Sequence, residues 1–260
     1  MVGARFDGVE LRRLNLRIPF PAGFADRLVG QTVTALTRRA KYLLAELSSG
    51  ETLLVHLGMS GGFRVARLRV TGGYRASEDG DDPKHDHVVF EMSPAAIVTF
   101  NDPRRFGLMD LVPRGSMSTH PVLGRLGPEP LSPEFGPEAL AAACRKKAVA
   151  LKVALLDQRV VAGLGNIYAS EALWLARLSP KRRASTIATP SGGPRPTAER
   201  LAAAIVTVLN AAIDRSESRA SRFRVYERAG ERCPRRGCGG TIKRLVQGAR
   251  STFYCPKCQR

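Results

Sequence analysis

Leu155-Leu-Asp-Gln-Arg-Val-Val-Ala-Gly-Leu-Gly-Asn-Ile-Tyr-Ala-Ser-Glu-Ala-Leu-Trp174 is the stretch on which the reading of the fold turns. It reads as a helix, a turn at Gly163-Leu-Gly165 and a second helix. Such a turn presents backbone N–H groups and the Asn166 side chain to an anion at the start of the second helix. A plain helical corner explains the same residues equally well, so the surrounding chain has to decide.

Outward from it the helical spacing of Ala, Leu and Val continues over 138–146, 150–157, 170–177 and 197–214. Thr197 is the expected N-cap of the last of these, with Glu199 in its first turn and 190–196 as the preceding loop. Upstream, residues 113–137 hold six Pro and four Gly, which prevents long regular elements. Before that, 31–112 alternates short apolar runs with Gly or charged punctuation, predicting strands over 31–37, 42–47, 52–57, 63–70, 87–92, 97–100 and 107–112. Ser48-Ser-Gly-Glu51 signals a hairpin, and 72–86 reads as a polar loop. The expected class is α+β: an antiparallel β-sandwich over 1–115, a linker over 116–137, a helical domain over 138–221 and a C-terminal segment over 222–260.

That last segment carries the sharpest chemical signal. Cys233-x4-Cys238-x16-Cys255-x2-Cys258 sets two cysteine pairs either side of a basic hairpin, Thr241-Ile-Lys-Arg-Leu followed by Ser251-Thr-Phe-Tyr. Paired cysteines let one turn supply two thiolates, and Zn2+ takes four in a tetrahedron. With all four positions filled by protein, one zinc here is structural and has no open site for catalysis. The fifth cysteine, Cys144, falls on an Ala-rich helix and reads as an inert buried thiol.

The 260 residues carry 41 Lys+Arg against 23 Asp+Glu, a net charge of +18. From Arg219 to Arg260 there are 12 Lys/Arg against two acids, Glu227 and Glu231, so +10 of it lies in the last 42 residues. A concentrated surplus favours a polyanionic partner such as nucleic acid. No apolar run reaches the ~18 residues of a spanning helix and no signal peptide opens the chain, so no membrane role and a cytoplasmic location are expected.

Six segments in order resemble the formamidopyrimidine-DNA glycosylases. They are Arg38-Arg-Ala-Lys-Tyr-Leu-Leu44, His56-Leu-Gly-Met-Ser-Gly61, Lys84-His-Asp-His87, Asn101-Asp-Pro-Arg-Arg-Phe-Gly107, the 155–174 stretch and the four-cysteine segment. The resemblance covers nearly the whole chain. It implies an N-terminal β-sandwich, a helix-two-turn-helix domain, a zinc ribbon and a DNA cleft between the halves. Base-excision repair is implied too: glycosylase removal of oxidised purines such as 8-oxoguanine and formamidopyrimidines, then β,δ-elimination at the abasic site. The partner is damaged double-stranded DNA, bound by a monomer. An oxidised purine must leave the stack to be reached.

The resemblance also implies roles. Lys41 matches the elimination-step lysine. Arg250 matches a ribbon arginine linked to elimination and to phosphate, and Asn166 the two-turn asparagine gripping that phosphate region. His85, Arg104 and Lys147 match DNA contacts. Met59, Arg104 and Phe106 match the trio that fills the hole left by the flipped base. Each has a plainer alternative: Met59 and Phe106 as core residues, either His85 or His87 as a core histidine, Lys41 as a surface lysine before a strand.

Two departures stand beside the match. The family opens Met-Pro-Glu-Leu-Pro-Glu and a helix, its proline amine attacking C1′. This chain opens Met1-Val-Gly-Ala-Arg-Phe-Asp-Gly-Val-Glu10 and matches from just after that helix. The expectation is therefore a repair glycosylase, with a catalytically silent lesion or abasic-site binder as the alternative. The second departure is the short 215–222 segment, where the family carries a longer loop over the flipped base.

Overall fold

The computed structural model describes residues 1–67, 82–216 and 223–260. They form two compact units, Met1–Gly124 and Arg125–Arg260.

The first unit holds β1 (Phe6–Leu11), α1 (Phe24–Leu28), β2 (Val33–Arg39), β3 (Tyr42–Leu47), β4 (Thr52–His56), β5 (Gly62–Arg67), β6 (Asp86–Met92), β7 (Ala96–Asn101) and β8 (Leu108–Val112). Two antiparallel four-stranded sheets result, ordered β1-β6-β7-β5 and β2-β3-β4-β8. Their facing side chains build one core: Phe6, Val88, Phe90, Val98 and Phe100 from one sheet, Val33, Leu47, Leu53, Val55 and Met109 from the other. Alternation in and out of the sheet selects these residues, which is the expected sandwich. Helix α1 adds Phe24 and Leu28 to that core, and at five residues it is too short to leave a periodic trace. The 48–51 hairpin lies where its residues predict, turning at Gly50 with φ +85°. The expected 63–70 strand is described to Arg67; the rest, and most of the expected 72–86 loop, fall outside the described residues.

The second unit holds α2 (Pro137–Cys144), α3 (Leu151–Leu156), α4 (Asn166–Leu175) and α5 (Pro196–Ser216), then β9 (Lys243–Gln247) and β10 (Arg250–Tyr254). Leu140, Leu151, Leu155, Leu164, Leu173, Leu201 and Ile205 meet in its helical core. Helix α4 begins directly after Gly165, where the Gly163-Leu-Gly165 turn places it, four residues before its apolar spacing starts at Ser170. Helix α5 starts at Pro196, so Thr197 is not the N-cap: proline's missing N–H suits the first helical turn, and the Thr197 hydroxyl lies buried without a partner. Cys144 is buried and its thiol is pushed up to about 11 by that burial, as an inert thiol should be. A smaller core serves the C-terminal segment: Val225, Ile242, Phe253, three of the cysteines and, from α4, Trp174.

Candidate nucleic-acid interface and metal centre

In the first unit the sequence singles out Lys41, Met59, His85, Arg104 and Phe106. Lys41 sits at the tip of the β2–β3 hairpin, whose two-residue turn follows from Arg39 pairing with Tyr42. Its neighbour Ala40 adopts φ +54°, a left-handed conformation that costs a non-glycine residue about 1 kcal/mol or more. The side chain of Lys41 is exposed, and its charge reaches His56. The His56 ring lies 5.0 Å from the Tyr42 ring. Burial, then Lys41, then Arg17 push the His56 imidazole below its ordinary value. Its Nδ1 accepts from Gly58 N at 2.9 Å, which fixes the neutral Nε2–H tautomer.

Met59 follows three residues after His56, 55% exposed, and Phe106 is 43% exposed. Both are side chains of loops rather than of the core. Arg104 stacks its guanidinium over Phe106 at 4.7 Å. The two loops touch backbone to backbone: Gly58 has φ +71°, and a Cβ there would lie 2.5 Å from the carbonyl carbon of Phe106. No other residue fits that approach.

One buried carboxylate ties this corner together. Asp102 accepts from Ser60 Oγ at 2.6 Å, from Gly107 N at 2.8 Å and from Arg104 N at 3.3 Å. Its backbone N donates to His85 O, while its carbonyl accepts from Arg105 N and His87 Nε2. His87 is thus the core histidine of the pair, and His85 stays half-exposed. Asp102 therefore joins the Met59 loop, the His85 turn and the Arg104–Phe106 loop.

In the second unit Asn166 opens α4. It donates Nδ2 to Ser251 O at 3.0 Å and accepts from Lys152 Nζ at 2.5 Å. Lys152 is fully buried and also donates to Ser251 O and Thr252 Oγ1. Burial and the nearby Arg250 lower its ammonium to about 8. Arg250 is exposed and starts β10 beside this knot, after a two-residue turn with Gly248 and Ala249 both at positive φ. Lys147 is half-buried and paired with Asp157 at 3.3 Å. Arg159 and Lys147 together hold the Asp157 carboxyl down to about 2. The turn before α4 is braced by Gln158, whose Oε1 accepts from Gly163 N and whose Nε2 donates to Leu156 O and Leu164 O.

The thiol sulfurs of Cys233, Cys238, Cys255 and Cys258 all lie within 4.8 Å of one another. Cys233–Cys258 is 3.9 Å and Cys238–Cys255 is 3.6 Å. A tetrahedron of Zn–S bonds near 2.3 Å has edges of about 3.8 Å, so the donor set fits zinc in type, number and spacing.

Four contributors escaped the sequence reading: Asp102, Lys152, Glu171 and Trp174. Glu171 is buried and gathers three successive backbone N–H groups, those of Arg224, Val225 and Tyr226, at 2.8–3.0 Å. Trp174 donates its indole N–H to Cys233 Sγ. A lone Lys or Glu inside an otherwise apolar helix, as at 152 and 171, was the available signal.

Three family models match in order: the formamidopyrimidine-DNA glycosylase N-terminal domain over residues 1–109, its H2TH domain over 126–224, and a zinc finger found in these enzymes and in isoleucyl-tRNA synthetase over 230–260. The formamidopyrimidine-DNA glycosylase of Rhodopseudomonas palustris strain BisA53 is 55% identical over 276 residues, covering all of this chain and 94% of that protein. Among solved structures, the Thermus thermophilus enzyme is 35% identical with a TM-score of 0.79, covering all of this chain and 92% of that one. The Lactococcus lactis enzyme bound non-covalently to DNA with an abasic site is 27% identical with a TM-score of 0.82, covering 100% and 94%.

Proposed function

From the premise that the chain belongs to the formamidopyrimidine-DNA glycosylase family, enzymes of damaged DNA, we propose a division of labour between its two groups of residues. The substrate is duplex DNA holding an oxidised purine, 8-oxoguanine or a formamidopyrimidine, and strand scission follows by β,δ-elimination. Met59, Arg104 and Phe106 fill the space vacated by the flipped nucleotide. Apolar and planar groups replace lost stacking there, and the guanidinium meets the orphan base. His85 and Arg104 contact the strand in that region.

Asn166, Arg250 and Lys147 grip phosphate. The N–H groups opening α4 favour an anion, and Arg250 adds a full charge next to Asn166. Lys147 exchanges Asp157 for a phosphate oxygen when DNA arrives. Lys41 serves the elimination step, in which C2′ loses a proton, a C2′=C3′ double bond forms and the C3′–O bond breaks with the phosphate leaving. Its amine carries the proton taken from C2′, and Arg250 assists the second elimination. One structural Zn2+, held by Cys233, Cys238, Cys255 and Cys258, folds the ribbon that carries Arg250; thiolates closing all four positions give the metal no part in the chemistry.

The observation that carries this reading is the exposure of Met59 and Phe106 on two loops locked together by Gly58 and Asp102. Large apolar side chains held rigidly in water, with Arg104 stacked beside them, suit a wedge between bases. Anisotropy titrations of duplexes with and without an abasic-site analogue test it. Met59→Ala and Phe106→Ala should lose the preference for the damaged duplex while keeping affinity for the intact one. Equal loss on both duplexes overturns the wedge.

A further inference from the structure

We infer that Trp174 is an outer-shell partner of the metal centre, so that retention of the metal is set partly by helix α4 and not by the ribbon alone. The inference rests on the zinc reading above. Trp174 lies on the last turns of α4, far in sequence from the cysteines, yet it is 8% exposed within the ribbon's own core. Its Nε1–H donates to Cys233 Sγ at 3.4 Å. Arg235, between Cys233 and Cys238, seals the arrangement: its guanidinium covers the indole at 4.5 Å and Nη2 donates to Trp174 O at 2.6 Å.

An N–H directed at a zinc-bound thiolate stabilises the sulfur lone pair. That lowers its nucleophilicity toward oxidants and alkylating agents and fixes the direction of the ligand. The indole is suited to this: it is a donor only and cannot compete for the metal. The same helix begins with Asn166, bonded to Ser251 in the ribbon hairpin. Both ends of α4 thus engage the ribbon, the first at the hairpin and the last at the cysteine pair.

Trp174 is the single tryptophan of the chain. Growth on 3-benzothienylalanine therefore replaces this one N–H with sulfur at constant ring shape, and Trp174→Phe removes the N–H genetically together with part of the ring. For wild-type and both substituted proteins, zinc content, zinc affinity by chelator competition and the thiolate-to-metal charge-transfer band of the Co2+ form are measured. The expected result is one zinc in wild type, affinity about tenfold lower in both substituted proteins, and a charge-transfer band moved to lower energy. Unchanged affinity and an unmoved band in the isosteric protein overturn the inference and leave the zinc reading standing. Wild-type protein that binds neither Zn2+ nor Co2+ overturns both.

Discussion

Replacing Asp102 tests whether one buried carboxylate holds the Met59 and Arg104–Phe106 loops together. In Asp102→Ala the hydrogen bonds from Ser60, Gly107 and Arg104 are lost. The Gly107 N–H is buried, so losing its acceptor costs about 1–3 kcal/mol, while Ser60 and Arg104 N lie nearer solvent and cost about 0.5–1 kcal/mol each. The sum is about 3 kcal/mol against local opening of residues 102–107. Asp102→Asn keeps one oxygen for Gly107 N and turns its NH2 toward the Ser60 hydroxyl, which accepts; about 1 kcal/mol is expected. Hydrogen exchange of the Gly107 amide in the intact protein reads both values. At about 1.4 kcal/mol per factor of ten, Asp102→Ala should speed exchange roughly a hundredfold and Asp102→Asn about fivefold. Preference for an abasic duplex should fall in the same order. Unchanged exchange in Asp102→Ala, or equal damage from Asn and Ala, would show that the carboxylate does not organise these loops.

Salt titrations separate the phosphate contacts: Arg250→Ala should lower the slope of log K against log[salt] by about 1, and Asn166→Ala should weaken binding at unchanged slope; identical slopes in wild type and Arg250→Ala argue against the contact. Lys152 has a folded value near 8 against 10.5 for the ordinary group. Between those values the unfolded chain binds more protons, so stability rises with pH across that window, by at most about 3 kcal/mol, and Lys152→Met should remove that rise in urea midpoints measured from pH 7.5 to 10.5. Verified zinc removal should unfold 233–258 and lower duplex affinity, since metal-binding energy at such a site is folding energy; undiminished affinity of the metal-free protein contradicts the ribbon's role.

The sandwich was legible because its strands alternate with period two, as in Leu53 and Val55, and the ribbon because four cysteines at that spacing have few other uses. The start of α4 was legible from the Gly163-Leu-Gly165 turn, whereas that of α5 was not: Pro196 opens it without the apolar residue that periodicity counts, and Thr197 offered a competing cap. The wedge and phosphate candidates came from motifs, whereas the groups supporting them left at most a lone charge in an apolar helix. Asp102 looks like a loop aspartate until Gly107 and Ser60 are seen to converge on it from five and forty-two residues away. Lys152 stands out as the lone charge of an apolar helix, yet its acceptor on Ser251 lies 99 residues later. Long-range polar convergence has little local signature, since the sequence around each partner does not name the others.

Glu171 has an evolutionary corollary. By holding the amides of Arg224 to Tyr226, it sets where the chain re-enters the ribbon independently of where α5 ends. The stretch between Ser216 and Phe223 is then bracketed by two fixed points, one on α5 and one clamped to α4. Insertions and deletions there can accumulate without shifting the register of the cysteines or of Arg250. A lineage is thereby free to trial new lengths and compositions in this segment while its ribbon stays intact.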